Sequence, residues 1–385
     1  MKAQILYGIG NIKYAEPDKP VPKKGEALVK VSYCGICGSD IPRIYKSGAH
    51  NMPIIPGHEF SGLVEECKDN PSLVGKRVGV YPLIPCKSCA QCKNRHYEMC
   101  ENYNYLGSRC DGGFAEYVAV PVWNLIPLPD EVSDIEAAML EPMAVAVHSI
   151  RRAGLLTNKY ETNRNYENVT ILVCGLGTIG LLTAMFLIDA GFPMTYCIGN
   201  KDIQKKKLFE MGYGKEQFCD VRYEDTTGFV KSLPGGKGVD YYFECIGRSE
   251  SYEQAIRSTA PLGTVMLVGN PASDMELGRD VYWKILRNQM TVLGTWNSSY
   301  EGRNGRKKTY HDDIQYVLDR LVNWKSANDF ASGYFEDKSN GRESFVHFSP
   351  EKLVTHCYGL EDLHKGLDIM KRKSEDYVKI MVKMV

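Results

Sequence analysis

The segment VTILVCGLGTIG, residues 169–180, limits the fold of this chain more than any other stretch. An apolar run typical of a buried strand ends directly in the pattern G-x-G-x-x-G. The three glycines of this pattern are Gly175, Gly177 and Gly180. Such glycines permit a tight turn, a close approach of a pyrophosphate and packing of the next helix on the strand. The phosphates would lie at the N-terminus of that helix, at Thr178 and Ile179. The segment therefore predicts a dinucleotide-binding βαβ unit.

The residues after this motif alternate between two patterns. A helix-like stretch, LLTAMFLIDAG, is followed by the apolar run MTYCIG, and further runs at 239–247, 263–270 and 290–296 are separated by helical periodicity. Strands that alternate with helices predict a parallel, doubly wound sheet. The first 140 residues differ, because they show short strands punctuated by glycine and proline and no long helix. The sequence thus predicts an α/β protein that joins a β-rich domain to a doubly wound nucleotide-binding domain.

The end of the second predicted strand bears on the choice of cofactor. An acidic residue about 20 positions after the motif would hold the ribose 2′-hydroxyl of NAD. Gly199 stands there instead, followed by Asn200 and Lys201. Without the carboxylate a 2′-phosphate is not repelled. The small Gly199 is expected to leave room for the phosphate, and Asn200 and Lys201 could donate to it. This favours NADP over NAD, although Lys201 and the lysines at 205–207 could also form a solvated helix face.

Composition excludes several other classes of function. The 47 basic residues are balanced by 47 acidic residues, so nothing indicates a nucleic-acid partner. No apolar run approaches the 18 or so residues of a membrane span. The N-terminal residues do not follow the pattern of a secretory signal. An odd number of cysteines, 13 in all, argues against a disulfide framework, so we expect a reducing, cytoplasmic setting.

Four of these cysteines fall within CKSCAQCKNRHYEMC, residues 86–100. They are Cys86, Cys89, Cys92 and Cys100. Two-residue spacers let successive thiolates turn toward one tetrahedral zinc ion, and four protein ligands leave no position open for substrate. His96 is a competing ligand, but the set of four sulfurs is complete without it. The cluster therefore predicts a structural zinc site that orders a polar loop.

A second set of metal-binding side chains is scattered along the chain. GICGSD contains Cys37, PGHEF contains His58 and Glu59, and EPMAVAVHSI begins with Glu141. A catalytic zinc uses about three protein ligands of mixed type and keeps one position open. A thiolate, an imidazole and one of the two carboxylates would supply that set, although spacing alone does not bring them together.

These strings, taken in order with the four-cysteine loop, DGGFAEYV and GLGTIG, resemble the zinc-dependent medium-chain dehydrogenase/reductase family over nearly the whole chain. The resemblance implies a chaperonin-10-like catalytic domain and two zinc ions per chain. It also implies that Cys37, His58 and Glu141 hold the catalytic zinc, as in the polyol dehydrogenases of the family. Glu59 would bind the metal directly or through water, and Ser39 would relay the substrate proton.

Longer strings, among them IPRIYKSGAH, LGSRCDGGFAEY and WKILRNQMTVLGTW, are similar to those of galactitol-1-phosphate dehydrogenases. This suggests oxidation of a polyol phosphate, with Arg43, Lys46, His50 and Arg109 as candidate phosphate contacts. Alternatives are sorbitol, ribitol 5-phosphate or another secondary alcohol as substrate. A different class, a non-catalytic NADP-binding protein, is disfavoured because the full set of zinc ligands is present.

We expect the catalytic domain at 1–145, the nucleotide-binding domain at 146–296 and a return to the catalytic domain at 297–385. Within that last part, the polar stretch near 325–350 reads as an insertion, either a surface hairpin or a subunit contact. His347 within it is interpreted as a surface residue. By resemblance, the protein is expected to form a homo-dimer or homo-tetramer.

Overall fold

The computed structural model describes residues 1–156, 168–271, 273–302, 312–329, 336–337, 342–343 and 348–384. The chain divides into two compact units. The first unit comprises Met1–Ala144, Ser298–Ser326 and Ser349–Val385, and the second comprises Val145–Asn297 and Ala327–Phe348. The expected third segment, 297–385, is thus divided between the two units. Residues 298–326 and 349–385 group with the first unit, and residues 327–348 group with the second.

The described elements are numbered in chain order. The strands are β1 (Ala3–Gly8), β2 (Asn11–Ala15), β3 (Glu26–Ile36), β4 (Glu59–Glu66), β5 (Arg77–Val80), β6 (Leu83–Ile84), β7 (Asn104–Tyr105), β8 (Tyr117–Pro121), β9 (Leu125–Pro127), β10 (Ile171–Cys174), β11 (Thr195–Gly199), β12 (Phe218–Asp220), β13 (Val239–Glu244), β14 (Thr259–Leu267), β15 (Thr291–Gly294), β16 (Glu336–Asp337), β17 (Arg342–Glu343), β18 (Val354–Gly359) and β19 (Lys379–Lys383). The helices are α1 (Asp40–Pro42), α2 (Ala90–Lys93), α3 (Asp134–Ala138), α4 (Leu140–Arg152), α5 (Thr178–Asp189), α6 (Asp202–Glu210), α7 (Thr226–Ser232), α8 (Ser249–Ser258), α9 (Arg279–Arg287), α10 (Asp313–Asp329) and α11 (Leu363–Arg372). None of the helices in the described ranges is long and apolar enough to cross a bilayer.

The second unit contains the predicted parallel sheet. Within the described residues its strand order is β12-β11-β10-β13-β14-β15, and every pairing is parallel. The order reverses between β10 and β13, and in sheets of this type ligands bind beyond the carboxyl ends of the strands at such a point. The strand β12 was not predicted, because its three residues are too short to show a period.

The turn between β10 and α5 explains the spacing of the glycines. Gly175 has φ +95°, which favours glycine. A Cβ atom on Gly180 would overlap the carbonyl oxygen of Gly175, so only a bare backbone lets α5 approach the turn. By contrast, a Cβ atom on Gly177 would meet no described atom within 4 Å. The space beside the N-terminus of α5 is therefore open to a ligand.

The first unit is built on a mixed sheet. Its described strands run in the order β18-β19-β3-β4-β5-β9, and β8 pairs with the outer part of β3. The central strand β3 has eleven residues, and this length lets it pair with β4, β8 and β19. Buried side chains of these strands pack with α11 into one core, which includes Val29, Phe60 and Leu367. The prediction of a β-rich first domain is confirmed.

The polar stretch near 325–350 lies mostly outside the described residues, as does His347. Within it, β16 and β17 pair antiparallel, with Glu336 opposite Glu343 and Asp337 opposite Arg342.

The four-cysteine lobe of the first unit brings its thiols together. The sulfur atoms of Cys86, Cys89, Cys92 and Cys100 all lie within 4.8 Å of one another. Cys86 Sγ and Cys92 Sγ are 4.0 Å apart. Ligands on a tetrahedral zinc with Zn–S bonds of ~2.3 Å are separated by ~3.8 Å. The lobe therefore fits a closed, four-sulfur zinc site.

Hydrogen bonds prepare the lobe for thiolate ligands. The Ser88 hydroxyl and the backbone N–H groups of Ser88 and Cys89 donate to Cys86 Sγ at 3.4, 3.5 and 3.4 Å. These bonds lower the pKa of Cys86 to about 5. His96 instead lies 3.2 Å from Glu98 Oε1. The prediction that four sulfur ligands hold the zinc without His96 therefore stands. The hydrogen bonds from Ser88 and the two backbone amides support it.

Replacement of Cys89 tests the lobe. The variant Cys89→Ser should hold one zinc ion fewer per chain, and its melting temperature should fall by about 10 °C or more, because metal binding contributes directly to the folding free energy. Elemental analysis and calorimetry measure the two effects. The control Cys357→Ser alters an exposed cysteine and should change neither. Unchanged zinc content in Cys89→Ser would contradict the assignment.

Candidate catalytic metal centre and nucleotide site

Antiparallel pairing of β3 and β4 assembles the candidate metal centre. Cys34 lies opposite Phe60, and Gly35 lies opposite Glu59. The same register continued by one residue brings Ile36 to His58, so that Cys37 follows directly beyond that pair. One ligand atom from each of Cys37, His58 and Glu59 lies within 4.8 Å of the other two. Residues more than 20 positions apart thus converge, as the sequence predicted but could not establish.

A buried carboxylate supports the histidine. Asp40 accepts a hydrogen bond from the Cys37 backbone N–H at 2.9 Å, and its Oδ1 lies 3.5 Å from His58 Nδ1. Burial lowers the pKa of His58, but Asp40 and Cys37 outweigh burial and raise it well above its usual value. Metal-ligating histidines commonly direct their second ring nitrogen to a carboxylate in this way. Sequence analysis did not identify Asp40, although it lies within the GICGSD string.

Glu141 lies near the metal group but outside its compact set. It is the second residue of α4, and the Tyr105 hydroxyl donates to its Oε1 at 3.4 Å. The rings of Tyr105 and His58 pack in an edge-to-face arrangement, with their centroids 5.8 Å apart. Burial raises the pKa of Glu141 to about 7, against the opposing charge of His58. Two carboxylates, Glu59 and Glu141, are therefore available to one centre.

A buried lysine that the sequence analysis missed completes the surroundings. Lys379, on β19, forms an ion pair with Glu59 and donates to the Ile36 carbonyl oxygen at 3.1 Å. Burial lowers the pKa of Lys379, but the charges of Glu59 and Cys37 raise it overall. A lysine in the alternating run VKIMVKMV is expected to face solvent, so no local signal reveals its burial.

The chemistry of these side chains fits a catalytic zinc. A thiol, an imidazole and a carboxylate form the mixed ligand set of such sites, whereas the lobe offers sulfur alone. Ser39 also lies at the centre, since its hydroxyl donates to Cys37 Sγ at 3.3 Å. The set leaves room for one non-protein ligand, which is what a Lewis-acid site requires.

The predicted phosphate contacts fall into different surroundings. Arg43 forms an ion pair with Asp40 and donates to Ser39 Oγ at 3.4 Å, so its charge is already balanced. His50 and Lys46 are exposed. The Arg109 guanidinium lies 4.3 Å from the centroid of the Tyr103 ring, and its Nε atom is buried without an acceptor in the described part of the chain. Of the four, Arg109 has the most evident capacity to bind an anion.

The end of β11 differs in one respect from the sequence-based interpretation. Gly199 was expected to leave room for a 2′-phosphate, but a Cβ atom there would lie 2.7 Å from Gln204 Oε1 and 3.0 Å from Phe218. Gln204 Oε1 accepts from the Asn200 N–H at 3.0 Å. The space beside Gly199 is thus taken by a side chain, whereas the next residue, Asn200, is exposed.

Charged residues from the neighbouring strand reach the same end of the sheet. Asp220, the last residue of β12, lies opposite Gly199. The Arg222 guanidinium binds both of its carboxylate oxygens, at 2.9 and 2.6 Å, and reaches Asp202 Oδ1 at 2.5 Å. The acidic residue expected at position 199 is therefore absent, but the carboxylate of Asp220 lies on the neighbouring strand, where Arg222 binds it. The sequence motif did not indicate this pairing, because β12 itself was not predicted.

Comparisons with known proteins agree with this geometry. Residues 23–130 match the alcohol dehydrogenase GroES-like domain, and residues 178–319 match the zinc-binding dehydrogenase family. Galactitol 1-phosphate 5-dehydrogenase of Escherichia coli K12 is 32% identical over 300 residues, which cover 77% of this chain and 83% of that protein. Sorbitol dehydrogenase of Halalkalibacterium halodurans is 30% identical over 337 residues, which cover 85% and 91%.

A solved structure extends the likeness to the whole chain. The crystal structure of galactitol-1-phosphate dehydrogenase from Escherichia coli matches with a TM-score of 0.82 and 26% identity, and the match covers 100% of both chains. The expected chaperonin-10-like and doubly wound domains are thereby confirmed. This chain is a member of the zinc-dependent medium-chain dehydrogenase/reductase family and an enzyme of its alcohol and polyol dehydrogenase group.

Proposed function

We propose that this enzyme oxidises a secondary hydroxyl of a polyol phosphate to a ketone and transfers the hydride to NADP. The observation that carries the proposal is the convergence of Cys37, His58 and the buried Glu59, with the half-buried Glu141 beside them. A zinc ion held there supplies Lewis acidity, which lowers the pKa of a substrate hydroxyl. Galactitol 1-phosphate is the preferred candidate; sorbitol and ribitol 5-phosphate are the alternatives within the same chemistry.

The side chains of this chain have separate roles in the proposal. Cys37, His58 and Glu141 would hold the metal, with Glu59 beside it. Ser39 would accept the hydroxyl proton of the substrate and pass its own proton toward solvent. A bound nicotinamide cofactor would supply the hydride acceptor that oxidation of the substrate carbon requires. Asp40 holds the His58 ring in place throughout, because its carboxylate faces Nδ1.

Replacement of Cys37 tests the metal centre. The variant Cys37→Ala should retain the zinc of the lobe, lose the second zinc, and lose activity by about a thousandfold or more, because a ligand of the Lewis acid is missing. Metal analysis and steady-state rates measure these losses, and fluorescence titration should show unchanged NADPH binding.

Cys67→Ala is a matched control, because Cys67 is buried in the same unit but belongs to neither thiol group. It should keep both zinc ions and activity within about threefold of wild type. Cys37→Ala protein with normal activity would refute the assignment.

The preference for NADP rests on the charges at the end of β11. Lys201 precedes α6, and Lys205 lies one turn later on that helix. The nearby carboxylates of Asp202 and Asp220 are bound by Arg222. Lys201 and Lys205 thus add positive charge near an end of the sheet where Arg222 already binds two carboxylates, which suits a 2′-phosphate better than a 2′-hydroxyl.

Replacement of Lys201 tests the cofactor preference. Wild type should use NADP at least about tenfold more efficiently than NAD, and Lys201→Ala should lose roughly ten- to a hundredfold in kcat/KM for NADP with little change for NAD. Lys206→Ala is the control on the same helix, since Lys206 points toward Glu210 at 4.0 Å. Equal losses with both cofactors would exclude a contact to the 2′-phosphate.

A phosphorylated substrate would require a cation near the metal. Arg109 supplies one, and its stacking on Tyr103 limits its motion. The ring of Tyr103 in turn packs at 6.2 Å against that of Tyr105, whose hydroxyl binds Glu141. A series of contacts through Tyr103 and Tyr105 thus connects the Arg109 guanidinium to the proposed metal ligand Glu141.

Rates on galactitol 1-phosphate and galactitol test this contact. Arg109→Gln should raise KM for the phosphate ester by about ten- to a hundredfold and leave the rate on galactitol unchanged, because the loss is confined to a charge-assisted bond. Lys93→Gln, an exposed cation of the lobe, is the control. Wild-type enzyme with equal kcat/KM on both compounds would exclude a phosphate site.

The expected homo-oligomer remains a prediction. Within the described residues, the sheet of the second unit ends at β15, which is largely exposed along its length. Trp283 and Leu286 on α9 are 56% and 50% exposed, and Trp296 is 51% exposed. An uncovered strand edge beside apolar side chains is a surface on which a second copy could pair.

A further inference from the structure

Lys379 lies at the proposed metal centre without a part in the reaction described above. Its side chain is 2% exposed, and it follows Glu59 by 320 residues. The ammonium group binds the carboxylate of Glu59 and the carbonyl oxygen of Ile36. A buried ammonium group needs fixed partners to compensate for its lost hydration. Both partners come from the β3–β4 pair that presents Cys37 and His58.

The sheet leaves space for this ion pair at one glycine. Gly35 lies on β3 between Glu59 on β4 and Met381 on β19. A Cβ atom there would overlap Glu59 Oε2 and lie 2.7 Å from Lys379 Cε. Any larger residue at position 35 would displace the pair. Three distant segments of the sequence therefore combine to place an ammonium group against this carboxylate.

The neighbouring charges suggest what the pair does. Glu59 presents a carboxylate oxygen within 4.8 Å of the ligand atoms of Cys37 and His58, and Glu141 lies outside that group. If Glu59 and Glu141 both bound the metal, four protein ligands would fill a tetrahedral centre, as in the lobe. A catalytic zinc instead needs an open position for a substrate oxygen.

We propose that Lys379 is a positioning residue that binds Glu59 in competition with the metal, so that Glu141 serves as the third protein ligand and the fourth position stays open. This role rests on the proposed metal centre. Loss of the ammonium group would remove a positive charge beside the metal and release Glu59 as an additional ligand. Both effects strengthen metal binding, and the released Glu59 also fills the position that the substrate oxygen needs. Loss of a purely structural lysine would instead weaken both metal binding and substrate binding.

The holoenzyme variant Lys379→Met tests this opposition of effects. The rate at which a chromogenic chelator removes the catalytic zinc should fall at least about fivefold, while kcat/KM for the polyol substrate falls at least about tenfold. Zinc released from the four-cysteine lobe is identified in Cys37→Ala protein, which lacks the second site. Lys383→Met is the matched control, because Lys383 ends the same strand in an exposed position; it should change neither rate.

The double variant Glu59→Gln/Lys379→Met distinguishes an effect of the released Glu59 carboxylate from a general loss of stability. It removes both members of the buried pair, so no charge is left unpaired, and its zinc release should return to within about twofold of wild type. If Lys379→Met protein with normal zinc content released zinc faster than wild type, the proposed role of Lys379 would be wrong, but the proposed function would be unaffected. Wild-type protein without the second zinc would overturn both this role and the proposed function.

Discussion

The backbone pairing of β3 with β4 and β19 is the interaction on which the candidate active site depends. It sets Gly35 opposite Glu59 and Met381. Cys37, directly after β3, and His58, directly before β4, thereby come close together. A slip of one residue in this register would turn alternate side chains to the other face of the sheet. The core beneath the sheet, with side chains such as Val29 and Phe60, fixes the register because its apolar positions fit one face alone.

The two proposed zinc sites illustrate how ligand type separates structure from catalysis. In the lobe, a short polar loop brings four sulfur atoms close enough to bind one tetrahedral zinc ion. Backbone amide donors to Cys86 stabilise its thiolate form. At the second site the proposed ligands are of three kinds and come from separate segments: Cys37 follows β3, His58 precedes β4, and Glu141 is on α4. Asp40 contacts the proposed ligand His58, and Lys379 binds the neighbouring carboxylate of Glu59. Such supporting contacts are what hold a metal site with an open position in shape.

Much of this arrangement could be predicted from sequence, for identifiable reasons. The glycine spacing of GLGTIG and the alternation after it depend on local geometry, so β10, α5 and β11 were foreseen. The four-cysteine lobe was foreseen because its ligands are close in sequence. Lys379 and Arg222 were not, since their partners lie on strands whose pairing no local pattern specifies. Gly199 shows the same limit: its neighbour Gln204 fills the space that the sequence suggested was open.

The central claim is that Cys37, His58 and Glu141 share one zinc ion in the first unit. Anomalous diffraction from crystals of the purified enzyme, measured on both sides of the zinc edge, tests it most directly. The account predicts two peaks per chain: one among the four cysteines of the lobe, and one about 2.0–2.3 Å from Cys37 Sγ, from an imidazole nitrogen of His58 and from a Glu141 oxygen. A peak in the lobe alone, or a second peak away from Cys37, would contradict it.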